Sequence, residues 1–125
     1  MGKRIIIYDD DKDILLVVST ILKIEGYEVV CKEDCRQLDQ DLETFQPKVI
    51  LMDNWLPDFG GVKATQYIKE QPAYKHIPVI FFSANSNVEE LAKEAGADFL
   101  LKKPFDMAEL KQTINRAIKS TEPAV

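Results

Sequence analysis

Cysteine, histidine and net positive charge are all scarce in this chain of 125 residues. The two cysteines, Cys31 and Cys35, stand four positions apart, which fits neither a CxxC redox pair nor a four-ligand zinc site, and they are too few for a disulfide framework. A reduced, cytoplasmic setting is expected. The one histidine, His76, lies in the polar stretch 71–78 without an acid or thiol in that stretch, so it reads as a loop residue and not a metal ligand. Basic residues number 16 against 21 acidic ones, a net charge of −5 that argues against a nucleic-acid coat, which needs basic patches to displace counterions. Long apolar runs are missing too. The opening MGKRIIIYDDD is cut off by carboxylates far short of a signal peptide or a membrane span. Internal repeats and low-complexity tracts are absent as well.

What is present is one domain's worth of apolar sequence, 46% of residues, enough to bury a core unaided. Five short runs, 4–8, 27–31, 49–52, 79–82 and 99–101, are rich in β-branched and aromatic residues and continuous, as suits strands covered on both faces. Between and after them come stripes at helical spacing: Ile14, Val18, Ile21 and Leu22; Leu38, Leu42 and Phe45; Ala64, Tyr67 and Ile68; Val88, Leu91, Ala92 and Ala95; Leu110, Ile114, Ala117 and Ile118. Gly26 and Gly96 fall where helices stop, Ser86 and Asp106 where they start, and Pro47 and Pro78 precede strands. Strand then helix, five times over, predicts an α/β fold. It is a doubly wound, flavodoxin-like (βα)5 unit with a five-stranded parallel sheet in the order 2-1-3-4-5. The domain is expected to span 1–120, with 121–125 a flexible tail.

In such a sheet ligands bind beyond the carboxyl ends of the strands. There the sequence sets Asp9, Asp10 and Asp11 after the first strand, Asp53 and Asn54 after the third, Ser83 and Ala84 after the fourth, and Lys102, Lys103 and Pro104 after the fifth. Acids after a strand commonly cap the next helix, and Asp11 and Asp13 suit that role. Asp9, Asp10 and Asp53 crowded together need a counter-charge. Carboxylates without a histidine or thiolate suit Mg²⁺, and Lys103 supplies a second positive charge. A cation and an ammonium flanking a carboxylate, with the Ser83 hydroxyl and backbone N–H groups as donors, suit a transferring phosphoryl group. Trp55, just after Asp53, is expected half-exposed at this rim.

These residues resemble the receiver domain of response regulators in two-component signalling, over about 3–119. IIIYDDDKDI resembles the family's first strand and acid pair, and LMDNWLPDFGG its phosphoacceptor segment, with Pro57 and Gly61 in place. FFSA resembles the strand with the switch hydroxyl, and GADFLLKKPF the strand with the family lysine and a proline, Pro104, after a cis bond. The resemblance implies that Asp53 takes a phosphoryl group from a histidine kinase, a phosphotransfer domain or a small phosphodonor. It implies Mg²⁺, or Mn²⁺ in its stead, held by Asp10, Asp53 and the Trp55 carbonyl, with Asp9 acting mainly through water. Lys103, Ser83 and the N–H groups of Trp55 and Ala84 would hold the phosphoryl oxygens. The chain would be no turnover enzyme, promoting only its own phosphorylation and dephosphorylation. Ser83 would move on phosphorylation and bias the face of the fourth helix, fifth strand and fifth helix, which docks an output protein or a second copy. Leu100 stands where the family usually has the aromatic of the switch, with Phe99 beside it, so hydroxyl movement is expected without aromatic gating. Neither nucleic acid nor membrane is an expected partner, and an output domain is not visible in the sequence, as in a stand-alone receiver or a part of a longer regulator or hybrid kinase.

Three other readings compete. A mononucleotide binder of the same fold needs hydroxyl and glycine donors after the first strand, where acids stand instead. An aspartate-nucleophile phosphatase wants an acid two residues after the nucleophile, where Trp55 stands. An unphosphorylated interaction scaffold usually lacks the acceptor, an acid or the lysine, all of which are kept. By the same resemblance, Trp55 and Asn85 occupy positions that modulate acyl-phosphate hydrolysis in the family, and a bulky Trp55 is expected to shield the phosphoryl group from water. Trp55→Ala should therefore hasten loss of the phosphorylated mass with time; an unchanged decay constant contradicts the shielding role.

Overall fold

The apolar runs become strands and the stripes become helices, in strict alternation. The computed structural model describes residues 3–57 and 60–122. The elements are β1 (Arg4–Tyr8), α1 (Lys12–Ile24), β2 (Glu28–Lys32), α2 (Leu38–Phe45), β3 (Val49–Asp53), α3 (Gly61–Glu70), β4 (Val79–Ser83), α4 (Val88–Ala95), β5 (Phe99–Lys102) and α5 (Met107–Ser120). All pairings are parallel and the order is β2-β1-β3-β4-β5, the expected doubly wound sheet.

Side chains alternate between the faces of a strand, and this divides the core in two. Ile5, Ile7, Val49, Leu51, Ile80, Phe82 and Leu101 face α1 and α5, packing on Leu15, Val18, Leu22, Leu110, Ile114, Ala117 and Ile118. Ile6, Tyr8, Ile50, Met52 and Val79 face α2 and α3, and Phe81 packs on α4 through Val88, Ala92 and Ala95. β3 and β4 are buried along their whole length. The edge strands are not: β2 and β5 include exposed residues, because an edge strand has a neighbour on one side only, and there the continuous runs do not imply cover on both faces. In the second core the buried Tyr8 hydroxyl donates to Asp41 Oδ2 at 2.9 Å, and Lys32 lies 3.4 Å from the other oxygen. Burial above all, then the Asp41 charge, raises the Tyr8 phenol far above its ordinary value, so it stays a donor.

Several boundaries differ from the sequence reading. Tyr27 lies in the turn that follows α1, where its N–H donates to the Leu22 carbonyl at 3.1 Å, and β2 starts one residue later. Ser86 does not start α4; Asn87 holds the cap position, and the turn is closed by Asn85 Oδ1, which accepts from the Asn87 N–H at 2.8 Å. Tyr67 lies exposed, not in the buried stripe, and its hydroxyl donates to the Asp39 carboxylate at 2.8 Å, tying α3 to α2. Asp11 and Asp106 do cap α1 and α5 with their carboxylates, Gly96 ends α4 at φ 79°, and His76 lies exposed in a turn. Of the expected tail, Thr121 and Glu122 continue from α5 in a turn, and 123–125 lie outside the described residues. Among the described residues no helix is long and apolar enough to cross a membrane.

Candidate functional site

β1 and β3 are neighbours with Tyr8 in register with Met52, so the next residue of each, Asp9 and Asp53, arrives at the same end of the sheet. One carboxylate oxygen from each of Asp9, Asp10 and Asp53 lies within 4.8 Å of the others. Asp9 and Asp53 are buried while Asp10 is exposed. Lys103, just beyond β5, reaches over β4 into this cluster, its Nζ 2.8 Å from Asp9 Oδ2 and 3.1 Å from Asp53 Oδ1. The remaining oxygens are engaged by backbone: Asp9 Oδ1 accepts from the Asp11 N–H at 2.9 Å, and Asp53 Oδ2 from the Trp55 N–H at 3.1 Å.

The electrostatics follow from burial. Desolvation first, then the charge of Asp9, pushes the Asp53 carboxyl up to about 6, against the opposing charge and hydrogen bond of Lys103 and the bond from Trp55. Burial pulls the Lys103 ammonium down, but hydrogen bonds and charges from Asp9 and Asp53 outweigh it and leave the group above its ordinary value. Lys103 thus stays charged and Asp53 is ionised at neutral pH.

The turn after β3 is fixed by Gly61. A Cβ there would lie 2.0 Å from the Asp53 carbonyl oxygen, and the Gly61 N–H donates to the Asn54 carbonyl at 3.0 Å. Only glycine lets α3 start so close behind Asp53. Ser83 closes β4 and is buried, with its Oγ accepting from the Asn85 N–H at 3.1 Å, while Ala84 is exposed. The Lys103 N–H donates to the Ser83 carbonyl at 3.0 Å, which ties the two segments together. The Lys103–Pro104 bond is cis. Trp55, at 68% exposure, stands further out than the half-exposed rim position expected of it. Leu100 is 37% exposed on the α4 side, whereas Phe99 packs into the α1/α5 core. Phe99 and Leu100 therefore face opposite sides of the sheet. Sequence reasoning missed two features: Asp9 as the closest partner of Lys103, and Phe82, whose ring lies under the lysine. The alternation of faces along β4 was the signal for the second, since it sets Phe82 on the side of Asp53.

With metal absent, a buried Asp53 whose folded pKa of about 6 exceeds its unfolded value of 3.8 stabilises the fold only while protonated. That contribution is complete below pH 4 and lost as pH rises through 6. Above pH 6, Asp53→Asn in chelator should be more stable than the parent by on the order of 1–2 kcal/mol and melt at a correspondingly higher temperature. The gap should close as pH falls towards 4; thermal melts showing a pH-independent gap, or a less stable variant, contradict this electrostatic account.

A family model described as response regulator receiver domain matches residues 5–115. The chain is 29% identical over 125 residues to the phosphate regulon transcriptional regulatory protein PhoB of Pseudomonas aeruginosa, covering 98% of this chain and 55% of PhoB. It thus spans about half the length of that curated relative. It is 31% identical, at a TM-score of 0.87, to the receiver domain of a sensor histidine kinase of Pseudomonas aeruginosa PAO1 solved with a magnesium ion coordinated in the active site cleft, covering 95% of this chain and 99% of that one. A CheY-like response regulator receiver domain protein from Methanospirillum hungatei JF-1 gives a TM-score of 0.86 at 26% identity, with 97% of each chain covered. Sheet order, the acid cluster and these matches agree, and the chain belongs to the response regulator receiver domain family of two-component signalling.

Proposed function

We propose that Asp53 is the phosphoacceptor of this receiver domain and that a divalent cation, Mg²⁺ or Mn²⁺, is bound beside it. The observation that carries the reading is the bracketing of one buried carboxylate by the Lys103 ammonium and the Trp55 N–H, with oxygens of Asp9 and Asp10 within 4.8 Å. An all-oxygen donor set without imidazole or thiolate fits a hard cation. Asp10, Asp53 and the Trp55 carbonyl would hold it, with Asp9, already engaged by Lys103 and the Asp11 N–H, acting from behind. When bound, the cation supplies positive charge against the developing charge on the phosphoryl oxygens.

The rest is work for the chain's own residues. Asp53, ionised at neutral pH, attacks phosphorus through a carboxylate oxygen; the O–P bond forms as the P–N bond to a phosphohistidine breaks, and the electron pair leaves on the imidazole nitrogen. Lys103 follows the charge from carboxylate to phosphoryl oxygen, and the N–H groups of Trp55 and Ala84 offer further donors. Ser83 is the switch: its hydroxyl hydrogen is free to turn towards a phosphoryl oxygen, and the Asn85 bond to Ser83 Oγ carries the movement into the turn before α4. A sensor histidine kinase or a phosphotransfer protein is the donor. The exposed face of α4, β5 and α5, with Leu100 at its centre, meets an output protein or a second copy, and the acidic surface favours neither nucleic acid nor membrane. The receiver unit spans 1–120 with 121–125 as its tail, and works in the cytoplasm as a self-modifying switch rather than a turnover enzyme.

Intact mass after incubation with acetyl phosphate or phosphoramidate, with and without Mg²⁺, tests this on the parent and on Asp53→Asn. A single phosphoryl adduct is expected only with Mg²⁺ and only in the parent. Absence of the adduct where Mg²⁺ is shown to bind would favour an unphosphorylated interaction scaffold instead.

A further inference from the structure

Phe82 lies in β4 one residue before Ser83 and is fully buried in the α1/α5 core. Its register partner on β3 is Asp53 and on β5 is Leu101, so the alternation of faces sends its side chain to the side on which Lys103 meets Asp9 and Asp53. There the Lys103 Nζ lies over the ring, 4.6 Å from its centroid. The ring's own place is set by the core and by Phe105, at a centroid distance of 6.3 Å and an interplanar angle of 55°.

An ammonium has three donors on a flexible four-carbon stem. Two of them are engaged here, by Asp9 and Asp53, and the electron-rich ring face meets the remaining positive charge. With its side chain only 15% exposed, Lys103 has little water to replace the ring, the condition in which a cation–π contact is strongest. The contact also has a property that a third hydrogen bond lacks. A ring face attracts the charge without demanding one donor direction, so the ammonium keeps its support while its partner changes from a carboxylate oxygen to a phosphoryl oxygen.

We propose that Phe82 is a positioning residue for phosphoryl transfer: its ring face holds the Lys103 ammonium in register with Asp53 before and after the phosphoryl group arrives. The proposal rests on the reading of Asp53 as phosphoacceptor. If Phe82 were core packing alone, any group of the same shape would serve, and its electronic character would be irrelevant.

The test is a series of full-length proteins with one, two or three ring fluorines on Phe82, introduced at that site alone. Fluorine nearly preserves shape while draining the ring face of negative charge. Two quantities are read: the melting temperature in chelator, with Lys103 present or replaced in Lys103→Met, and the initial rate of phosphorylation by phosphoramidate at saturating Mg²⁺. Expected are a stepwise fall in melting temperature that vanishes in Lys103→Met, and a stepwise fall in rate reaching about three- to tenfold with three fluorines. A melting trend equal in both backgrounds, or a rate independent of fluorination, overturns the proposal. An unfluorinated protein that takes no phosphoryl group overturns the acceptor reading and the proposal with it, and that result is distinct from a flat series in a protein that is phosphorylated.

Discussion

Two buried carboxylates and a third at the surface share the end of this sheet with one ammonium, and most of the site's behaviour derives from that imbalance. At an effective dielectric constant of 20, two like charges about 4 Å apart repel by roughly 4 kcal/mol, comparable to a large part of a small domain's net stability. The fold nevertheless brings Asp9 and Asp53 together, because β1 and β3 are adjacent, Asp9 follows the one and Asp53 ends the other, and both strands are too apolar to sit elsewhere. Lys103 offsets part of the repulsion by bridging both, and Asp53 still lies high at about 6. A site in this state favours whatever adds positive charge or carries negative charge outward onto a group with more donors around it. A bound cation would do the first and a phosphoryl group on Asp53 the second.

The alternation of faces along the strands then divides the labour. Asp53, Phe82 and Lys103 lie on the α1/α5 side, a rigid wall of aliphatic packing that holds charge in place. Ser83, next along β4, is linked through Asn85 to the turn before α4. On the proposed reading, one side of the sheet end holds the chemistry while the other would report it. Gly61 makes the arrangement compact, since its missing side chain is what lets α3 begin against the Asp53 carbonyl. The proposed output face carries an aliphatic residue, Leu100, and Phe99 is committed to the opposite core. On the proposed reading, coupling would run through backbone and hydroxyl movement rather than rotation of an aromatic.

Much of this was legible in the sequence because its physics is local. Continuous apolar runs mark the central strands, helical stripes mark their crossovers, and polar residues interrupting the runs mark the carboxyl ends, so Asp9, Asp10, Asp53, Ser83 and Lys103 could be named before any coordinates. What was not legible depended on three-dimensional register or on competition between hydrogen bonds. Ser86 has the chemistry of a cap, but Asn85 closes the turn first. Tyr67 follows the apolar stripe, but Asp39 on a different helix draws its hydroxyl outward. Phe82 reads as one apolar residue in a run of four, and only the pairing of β4 with β3 sets it beside Asp53. Tyr8 looks like core, and Asp41, 33 positions away, makes it a buried donor.

Charge crowding, relieved by a single lysine, sets the state of Asp53. The most direct measurement is an NMR titration of the Asp53 side-chain carboxyl carbon in metal-free protein, in the parent, in Asp9→Asn and in Lys103→Met. The account predicts a midpoint near 6 in the parent, a lower one in Asp9→Asn, where the like charge is gone, and a higher one in Lys103→Met, where the offsetting charge is gone. A midpoint in the ordinary carboxylate range that neither substitution moves would contradict it.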